Sequence, residues 1–147
     1  MTHENREFSR RIVHYIAMLE RQRRRFLDQH LARYGLQGSM FLVLLFLERH
    51  PGTSQDSLCA DLLIDKSGVA RKCRKLEDLG LLSREPQDED KRQNMLFLTA
   101  GGEQLIPTIR ARLSDWRERV TQGMSEREQQ ELLRLLEQME TNALAPK

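Results

Sequence analysis

Two charged segments hold the residues whose types and spacing could do chemistry in this sequence. Residues 65–75 contain five basic side chains and one acidic side chain, a local charge of +4 in a chain whose formal net charge is +2. Residues 87–102, QDEDKRQNMLFLTAGG, contain five consecutive charged side chains, which are followed two residues later by a short apolar run and then by a glycine pair. Basic charge concentrated in one short segment is typical of surfaces that contact nucleic-acid phosphates.

The elements that must position these segments begin with a long helix. Apolar residues recur in steps of three and four over residues 8–34, which predicts one amphipathic helix with Gly35 as its C-cap. The run MFLVLLFLER that follows is apolar on all sides, and its length favours a buried helix that ends before Pro51 and Gly52.

A pair of shorter helices comes next. Thr53 or Ser54 is expected to cap a helix that runs to about Leu62. After a turn, the segment DKSGVARKCRKLEDLG predicts a helix from Asp65 or Ser67 to a glycine stop at Gly80. Its inward positions are Val69, Cys73 and Leu76.

Residues 81–85 and 95–98 are strand candidates, joined by the charged connection. Two helices are predicted after them. One begins at Thr99, contains Pro107 and runs to about Gly123. The other opens with the capping box Ser125–Glu128 and is expected to turn leucines at 132, 133, 135 and 136 and Met139 inward.

The order helix, short helix, turn, helix, hairpin is that of a winged helix-turn-helix, in which the second helix of the pair enters the major groove of DNA. The outward residues of that helix are expected to bind DNA. Arg71 has the donor fork for guanine O6 and N7, whereas lysines supply phosphate contacts. The predicted contact residues on the helix are Lys66, Ser67, Gly68, Ala70, Arg71, Lys72 and Lys75.

The second charged segment carries a resemblance to a known family. Asp90 and Arg92, followed after five residues by Leu98, Thr99 and Gly102, resemble the wing signature of the MarR family of bacterial transcriptional regulators. The similarity extends from about residue 8 to residue 144. It implies a mainly α fold with a small β-hairpin: a winged helix-turn-helix core at 36–99, with dimerisation helices at 5–34 and 100–145 of one domain, 1–147.

In a wing of this kind, a basic residue can enter the narrow minor groove of A·T-rich DNA. We expect Arg92 to do so, with Asp90 holding its guanidinium and Lys91 adding a further contact. Thr99 would then cap the next helix, and Gly102 would allow close helix packing.

The terminal helices carry apolar stripes that are larger than a small winged core can bury, which predicts a homodimer that reads a palindromic operator. The expected interface residues are Phe8, Ile12, Ile16, Leu113, Trp116, Val120, Leu132, Leu136 and Met139. The resemblance also implies a repressor that is released by a small aromatic or phenolic ligand. Candidate lining residues for that ligand are Tyr15, Leu19, Phe41, Leu44 and Trp116.

Other functions remain open at this point. Cys59 or Cys73 could make the chain a redox-sensing regulator of the same fold, although both fall on inward positions. A winged helix can also serve as a protein-interaction module without binding DNA. The four histidines are scattered and no nucleophile or phosphate-loop motif occurs, so neither a metal, a cofactor nor an enzymatic activity is expected.

The sequence gives no indication of a membrane or secreted protein. Its N-terminal segment MTHENREFSRR lacks an apolar core, and the longest apolar run has eight residues, 40–47. The two cysteines show no CxxC spacing. We therefore expect a cytoplasmic protein with reduced thiols.

Overall fold

The computed structural model describes residues 3–86 and 94–146, and within them the chain is mainly helical with one antiparallel hairpin. This confirms the predicted fold class. The elements are α1 His3–Leu31, α2 Met40–Arg49, α3 Gln55–Leu62, α4 Lys66–Asp78, β1 Leu82–Pro86, β2 Asn94–Leu98, α5 Ala100–Val120 and α6 Glu126–Leu144.

Helix α1 passes into a 3-10 turn, Ala32–Tyr34, that ends at Gly35. Gly35 has φ of 75°, and its amide donates to the Ala32 carbonyl at 2.9 Å. A Cβ at this position would lie 2.9 Å from Cδ2 of Leu79, so both the backbone angle and the packing favour glycine. The predicted C-cap is confirmed.

The hydrophobic core surrounds α2, whose Val43 and Leu44 are fully buried. The prediction of a buried helix here is confirmed. Around it pack the C-terminal end of α1, the inward faces of α3 and α4, both strands and the first half of α5. The buried contributors outside α2 are Leu27, Leu31, Leu36, Leu58, Val69, Cys73, Leu76, Leu82, Leu96, Leu105, Ile106 and Ile109.

Helices α3 and α4 form the helix pair, and each begins at a residue of the type expected for an N-cap. Of the two candidate caps, Ser54 acts on α3, because its hydroxyl oxygen accepts from the Ser57 amide at 3.2 Å. Leu63 takes a left-handed conformation in the turn, with φ of 52°, and Asp65 occupies the N-cap position of α4. Gly80, with φ of 71°, follows the last turn of α4 as predicted.

The hairpin pairs Leu82 with Leu98 and Pro86 with Asn94. A third segment, which the sequence did not indicate, joins it through a bridge between Thr53 and Leu96. The Leu96 amide donates to the Thr53 carbonyl at 2.9 Å, and the Gly52 amide donates to the Leu96 carbonyl at the same distance. The loop before α3 is thereby fixed to strand β2.

The start of α5 shows the predicted roles of Thr99 and Gly102. The Thr99 hydroxyl accepts from the Gly102 amide at 3.1 Å and donates to the Gly80 carbonyl at 2.6 Å. A Cβ on Gly102 would lie only 2.3 Å from the Leu81 carbonyl oxygen. The end of α4, the start of β1 and the start of α5 therefore approach one another more closely than any side chain at 102 would permit.

The chain divides into two compact units, residues 1–113 and 114–147. The second unit contains the end of α5 and the whole of α6. Helix α6 begins with the predicted capping box, in which Ser125 and Glu128 exchange hydrogen bonds. It buries no residue, so the expectation of an inward leucine face is wrong for the single chain: Leu132, Leu133, Leu135, Leu136 and Met139 are 38–58% exposed.

None of the helices in the described part of the chain is long and apolar enough to span a membrane.

Candidate nucleic-acid interface

Burial of one face of α4 fixes which side chains the other face presents. Val69, Cys73 and Leu76 are completely buried, as the sequence predicted. The opposite face is exposed at Lys66, Ser67, Arg71, Arg74 and Lys75, and half-buried at Ala70 and Lys72. The helix therefore presents a basic surface whose direction is set by the core beneath it.

Gly68 does not belong to this surface. It is buried, and a Cβ there would lie 2.5 Å from Oδ1 of Asp65 and 3.0 Å from Cγ2 of Ile64. The prediction that Gly68 faces DNA is wrong, because the turn before α4 folds back over this position. Its small size instead lets that turn pack against the first turn of the helix.

The N-terminal end of α4 is organised around Asp65. Its carboxylate accepts from the Ser67 hydroxyl at 2.6 Å. That hydrogen bond, together with the Gly68 amide and the charge of Arg71, holds the pKa of Asp65 below its ordinary value. The hydroxyl proton of Ser67 is used in this hydrogen bond to Asp65. The Ser67 hydroxyl can therefore only accept a hydrogen bond from another group.

Most of the basic side chains of α4 form no ion pair with the described residues. Lys66 lies 3.8 Å from the Asp56 carboxylate in an exposed pair that contributes little to stability. No carboxylate among residues 3–86 and 94–146 forms an ion pair with Arg71, Lys72, Arg74 or Lys75. Their charge is available to an external anion.

A clasp that sequence reasoning missed holds α4 against its neighbours. Arg84 of β1 donates through Nε to Oε1 of Glu77 on α4, at 2.5 Å, and through Nη1 to Oε1 of Gln55 on α3. The Arg84 side chain is only 27% exposed. One guanidinium therefore joins α3, α4 and the hairpin, and no local pattern could reveal a contact between residues so far apart in sequence.

Cys73 lies beneath the same clasp. Burial raises the pKa of its thiol to about 11, with Glu77 adding to the shift and Arg84 opposing it. A thiol with this pKa is almost entirely protonated at neutral pH and is a poor nucleophile. Cys59 is half-buried, and both cysteines are free.

The predicted wing contacts Asp90, Lys91 and Arg92 lie outside the described residues. The strands on either side of them, β1 and β2, are described, and β1 carries Arg84 of the clasp.

The five residues predicted to line a ligand site differ in burial and belong to two units of the chain. Phe41 and Leu44 are core residues, at 3% and 0% exposure, whereas Tyr15 and Leu19 are each 53% exposed on α1. Trp116 is half-buried in the second unit.

A cavity of about 510 Å³ occurs instead between the end of α1 and the middle of α5. Two of its lining side chains carry a guanidinium group, one an imidazole and one a phenol. The lining residues are His30, Arg33, Tyr34, Pro107, Thr108, Ala111 and Arg112.

The predicted interface residues are largely uncovered. Phe8, Ile16, Val120, Leu132, Leu136 and Met139 are 36–63% exposed. Ile12, Leu113 and Trp116 are half-buried, and Leu113 packs against the core.

Within the described ranges, no group of three or more histidine, cysteine or carboxylate side chains has the arrangement of a metal site.

Comparison with known proteins adds the family context. Residues 34–93 match the model of the MarR family. The chain is 27% identical over 114 residues, 78% of its own length and 79% of the relative's, to the HTH-type transcriptional regulator BilQ of Clostridium symbiosum (strain WAL-14163).

Two solved structures extend the similarity over most of the fold. A MarR transcriptional regulator from Methanosarcina mazei Go1 is 32% identical with a TM-score of 0.87, covering 90% of this chain and 96% of that one. A MarR-family regulator from Listeria monocytogenes, crystallised with a 26-mer DNA, is 24% identical with a TM-score of 0.82, covering 88% and 87%.

Proposed function

The chain belongs to the MarR family of transcriptional regulators, and from this premise we propose that it is a homodimeric repressor that leaves a palindromic operator when a small aromatic or phenolic ligand binds. Its winged helix-turn-helix is a DNA-binding fold, and the relatives it resembles are named as transcriptional regulators.

One observation carries the DNA-binding part of this proposal. The outer face of α4 presents Arg71, Lys72, Arg74 and Lys75, which form no ion pair with a carboxylate of residues 3–86 and 94–146, and the core beneath the helix and the Arg84 clasp hold it in place. In this proposal Arg71 contacts a guanine edge, while Lys66, Lys72 and Lys75 contact phosphates. Ser67 and Ala70 lie close to the DNA backbone. The Listeria relative solved with DNA supports this use of the fold.

The wing contributes the second set of contacts in this proposal. The motif of Asp90 and Arg92, continued by Leu98, Thr99 and Gly102, supports a minor-groove arginine braced by a carboxylate, with Lys91 beside it. The described start of α5 agrees with the motif at Thr99 and Gly102.

Dimerisation is supported by exposed apolar side chains on two helices. Helix α1 exposes Phe8 and Ile16, and helix α6 exposes Leu132, Leu136 and Met139. In the proposed division of the chain, residues 36–99 bind DNA while residues 5–34 and 100–145 pair with a second copy. A two-fold dimer would place two α4 helices on half-sites about one helical turn apart.

For the effector, the cavity at the end of α1 offers chemistry that suits a phenolate or an aromatic acid. Arg33 and Arg112 supply guanidinium groups and Tyr34 an aromatic wall. Tyr15 and Leu19, which were predicted from the sequence, face solvent in one chain and would join such a site when a second copy is present. Trp116 stays a predicted lining residue in the second unit.

A fluorescence anisotropy titration with DNA from upstream of the protein's own coding sequence tests the proposal. We expect binding that is much tighter than to scrambled DNA of equal length and that weakens steeply with salt. A run-off transcription assay on the same fragment should then show repression, relieved by 4-hydroxybenzoate. Equal, weak binding to both DNAs would contradict the proposal and favour the protein-interaction alternative.

A further inference from the structure

A second cavity, of about 380 Å³, lies between the end of α2, strand β2 and the first turns of α5. Five of its seven lining residues are apolar, and the other two are carboxylates. The lining residues are Leu47, Glu48, Pro51, Phe97, Leu98, Glu103 and Ile106.

The two carboxylates differ in their ion-pair partners. Glu48 accepts from Nη2 of Arg110 at 2.6 Å, so its charge is balanced within the chain. No ion pair or side-chain hydrogen bond involves Glu103 in the part of the chain that the structure describes. The three charged groups at the cavity therefore sum to −1, and the uncompensated charge lies on Glu103.

We propose that this cavity binds an organic monocation: an amine or quaternary ammonium ion with an apolar, preferably aromatic, body. The charge at the cavity is complementary to one positive charge, and Phe97 supplies an aromatic face to which a cation is attracted. Leu47, Leu98 and Ile106 also line the cavity, and Leu98 is the most accessible of the three to an apolar body, since Leu47 is 1% and Ile106 3% exposed.

Other ligand classes fit this cavity less well. A divalent metal ion requires about six oxygen ligands, and the apolar walls do not supply them. An aromatic acid would place its charge near two carboxylates, which costs free energy. That acid is better matched by the basic cavity at the end of α1, so the two cavities select ligands of opposite charge.

The location of the cavity connects it to the wing. Phe97 and Leu98 belong to β2, which pairs with β1 and bridges to Thr53 in front of α3. The Phe97 ring also packs near Gly52, where an added Cβ would lie 3.4 Å from Cζ of Phe97. A ligand that separates β2 from α2 would therefore shift the hairpin relative to the helix pair and weaken DNA binding. This regulatory step rests on the proposed function, whereas binding of the cation does not.

The binding test uses three probes of similar shape and different charge: benzyltrimethylammonium, its neutral isostere neopentylbenzene, and phenylacetate. Calorimetry should show the cation binding at least fivefold more tightly than the neutral isostere, as expected for a charge-assisted cation–π site. Methyl NMR shifts should fall on Leu47, Leu98 and Ile106. Equal affinity for the cation and the isostere, or shifts confined to other residues, would overturn the proposal.

A matched pair of variants assigns the charge. Glu103→Gln should lower the affinity for benzyltrimethylammonium roughly fivefold, while Glu118→Gln, the same change elsewhere on α5, should leave it unchanged. Circular dichroism on both variants confirms folding. Loss in both variants, or in neither, would contradict the role of Glu103.

The regulatory step has its own readout. Benzyltrimethylammonium should weaken operator binding by the parent protein and have little effect on Glu103→Gln. Cation binding without a change in DNA affinity would overturn the coupling and leave the binding site intact. If no operator is bound at all, the proposed function fails, and calorimetry still decides whether the cation binds.

Discussion

At the scale of single residues, Arg71 is the side chain of α4 that we propose reads a base edge. It is exposed, and its charge acts on Asp65, whose carboxylate is already engaged by Ser67. We expect Arg71→Ala to reduce discrimination at one base pair in each half-site by about 1–3 kcal/mol. Affinities for a panel of operators, each changed at one position, measure this effect.

Lys75→Ala is the matched control, because Lys75 is equally exposed on the same helix but offers a single point of charge. It should weaken all operators by a similar factor and lower the salt slope by about one. If Arg71→Ala behaves in the same uniform way, Arg71 is a phosphate contact as well.

Cys73 makes stability depend on pH in a defined direction. Burial raises the pKa of its thiol to about 11, against about 8.5 in an unfolded chain. Its contribution to the free energy of unfolding is therefore fully present below about pH 8.5 and is lost as the pH rises toward 11. Relative to pH 8, we expect a loss of about 1–2 kcal/mol at pH 10, measured by urea unfolding.

The Cys73→Ala variant separates this effect from the titration of lysine and tyrosine. It should be less stable at pH 8 because it leaves a small cavity, but it should lose less stability between pH 8 and pH 10 than the parent does. Parallel pH profiles for the two proteins would show that the Cys73 thiol titrates normally.

At the scale of elements, two adjacent glycines at the start of α5 have opposite roles. A Cβ on Gly102 would lie 2.3 Å from the Leu81 carbonyl oxygen, whereas a Cβ on Gly101 would lie 3.4 Å from its nearest neighbour, the Gly80 carbonyl oxygen. Gly102→Ala should therefore destabilise the fold by several kcal/mol, because backbone must move. Gly101→Ala should be neutral or stabilise it by up to about 1 kcal/mol, since alanine favours helix.

Thermal unfolding of the two variants decides this prediction. A similar loss of stability in both variants would mean that helix α5 can move away from Leu81, and that Gly102 is not required for close packing.

The Arg84 clasp is predicted to act as one unit with Glu77. A double-mutant cycle of Arg84→Ala and Glu77→Ala should give a coupling energy of about 1 kcal/mol, because both side chains are about one-third exposed or less. The pair Arg10–Glu7 on α1 is the control, with a distance of 2.8 Å but side chains 76% and 47% exposed. Its coupling should be close to zero. Equal coupling in the two pairs would contradict a special role for the clasp.

These elements also show where sequence reasoning succeeds and where it stops. Gly35, Ser54, Thr99 and the Ser125 capping box follow from local rules, in which a residue and its near neighbours determine the backbone. Arg84 could not be interpreted in this way, because its partners depend on how two helices and a strand pack. The role of Gly68 was missed for a related reason: helical periodicity does not show that the preceding turn covers it.

At the scale of the whole molecule, the apolar side chains of α1 and α6 are exposed to solvent in the single chain. Helix α1 exposes Phe8, Tyr15, Ile16 and Leu19, each by about half or more, and α6 has no buried residue in the single chain. Exposed apolar stripes on long helices are characteristic of protein interfaces. The sequence predicted stripes that are larger than the winged core can bury, and the exposure of these side chains in the single chain agrees with that prediction. Periodicity does not show which surface covers them.

We expect a second copy of the chain to cover the exposed apolar stripes of α1 and α6. Sedimentation at micromolar concentration should give a species of twice 17.3 kDa. Leu136→Glu should convert it to a monomer, because a charge would be placed in an apolar interface at a position that is 48% exposed in the single chain and so tolerates the change there. Gln130→Glu, on the same helix, should remain dimeric. Leu136→Glu should also lower the affinity for the operator, because a monomer contacts only one of the two half-sites. A parent protein that sediments at 17.3 kDa would remove the dimer and the palindromic operator together.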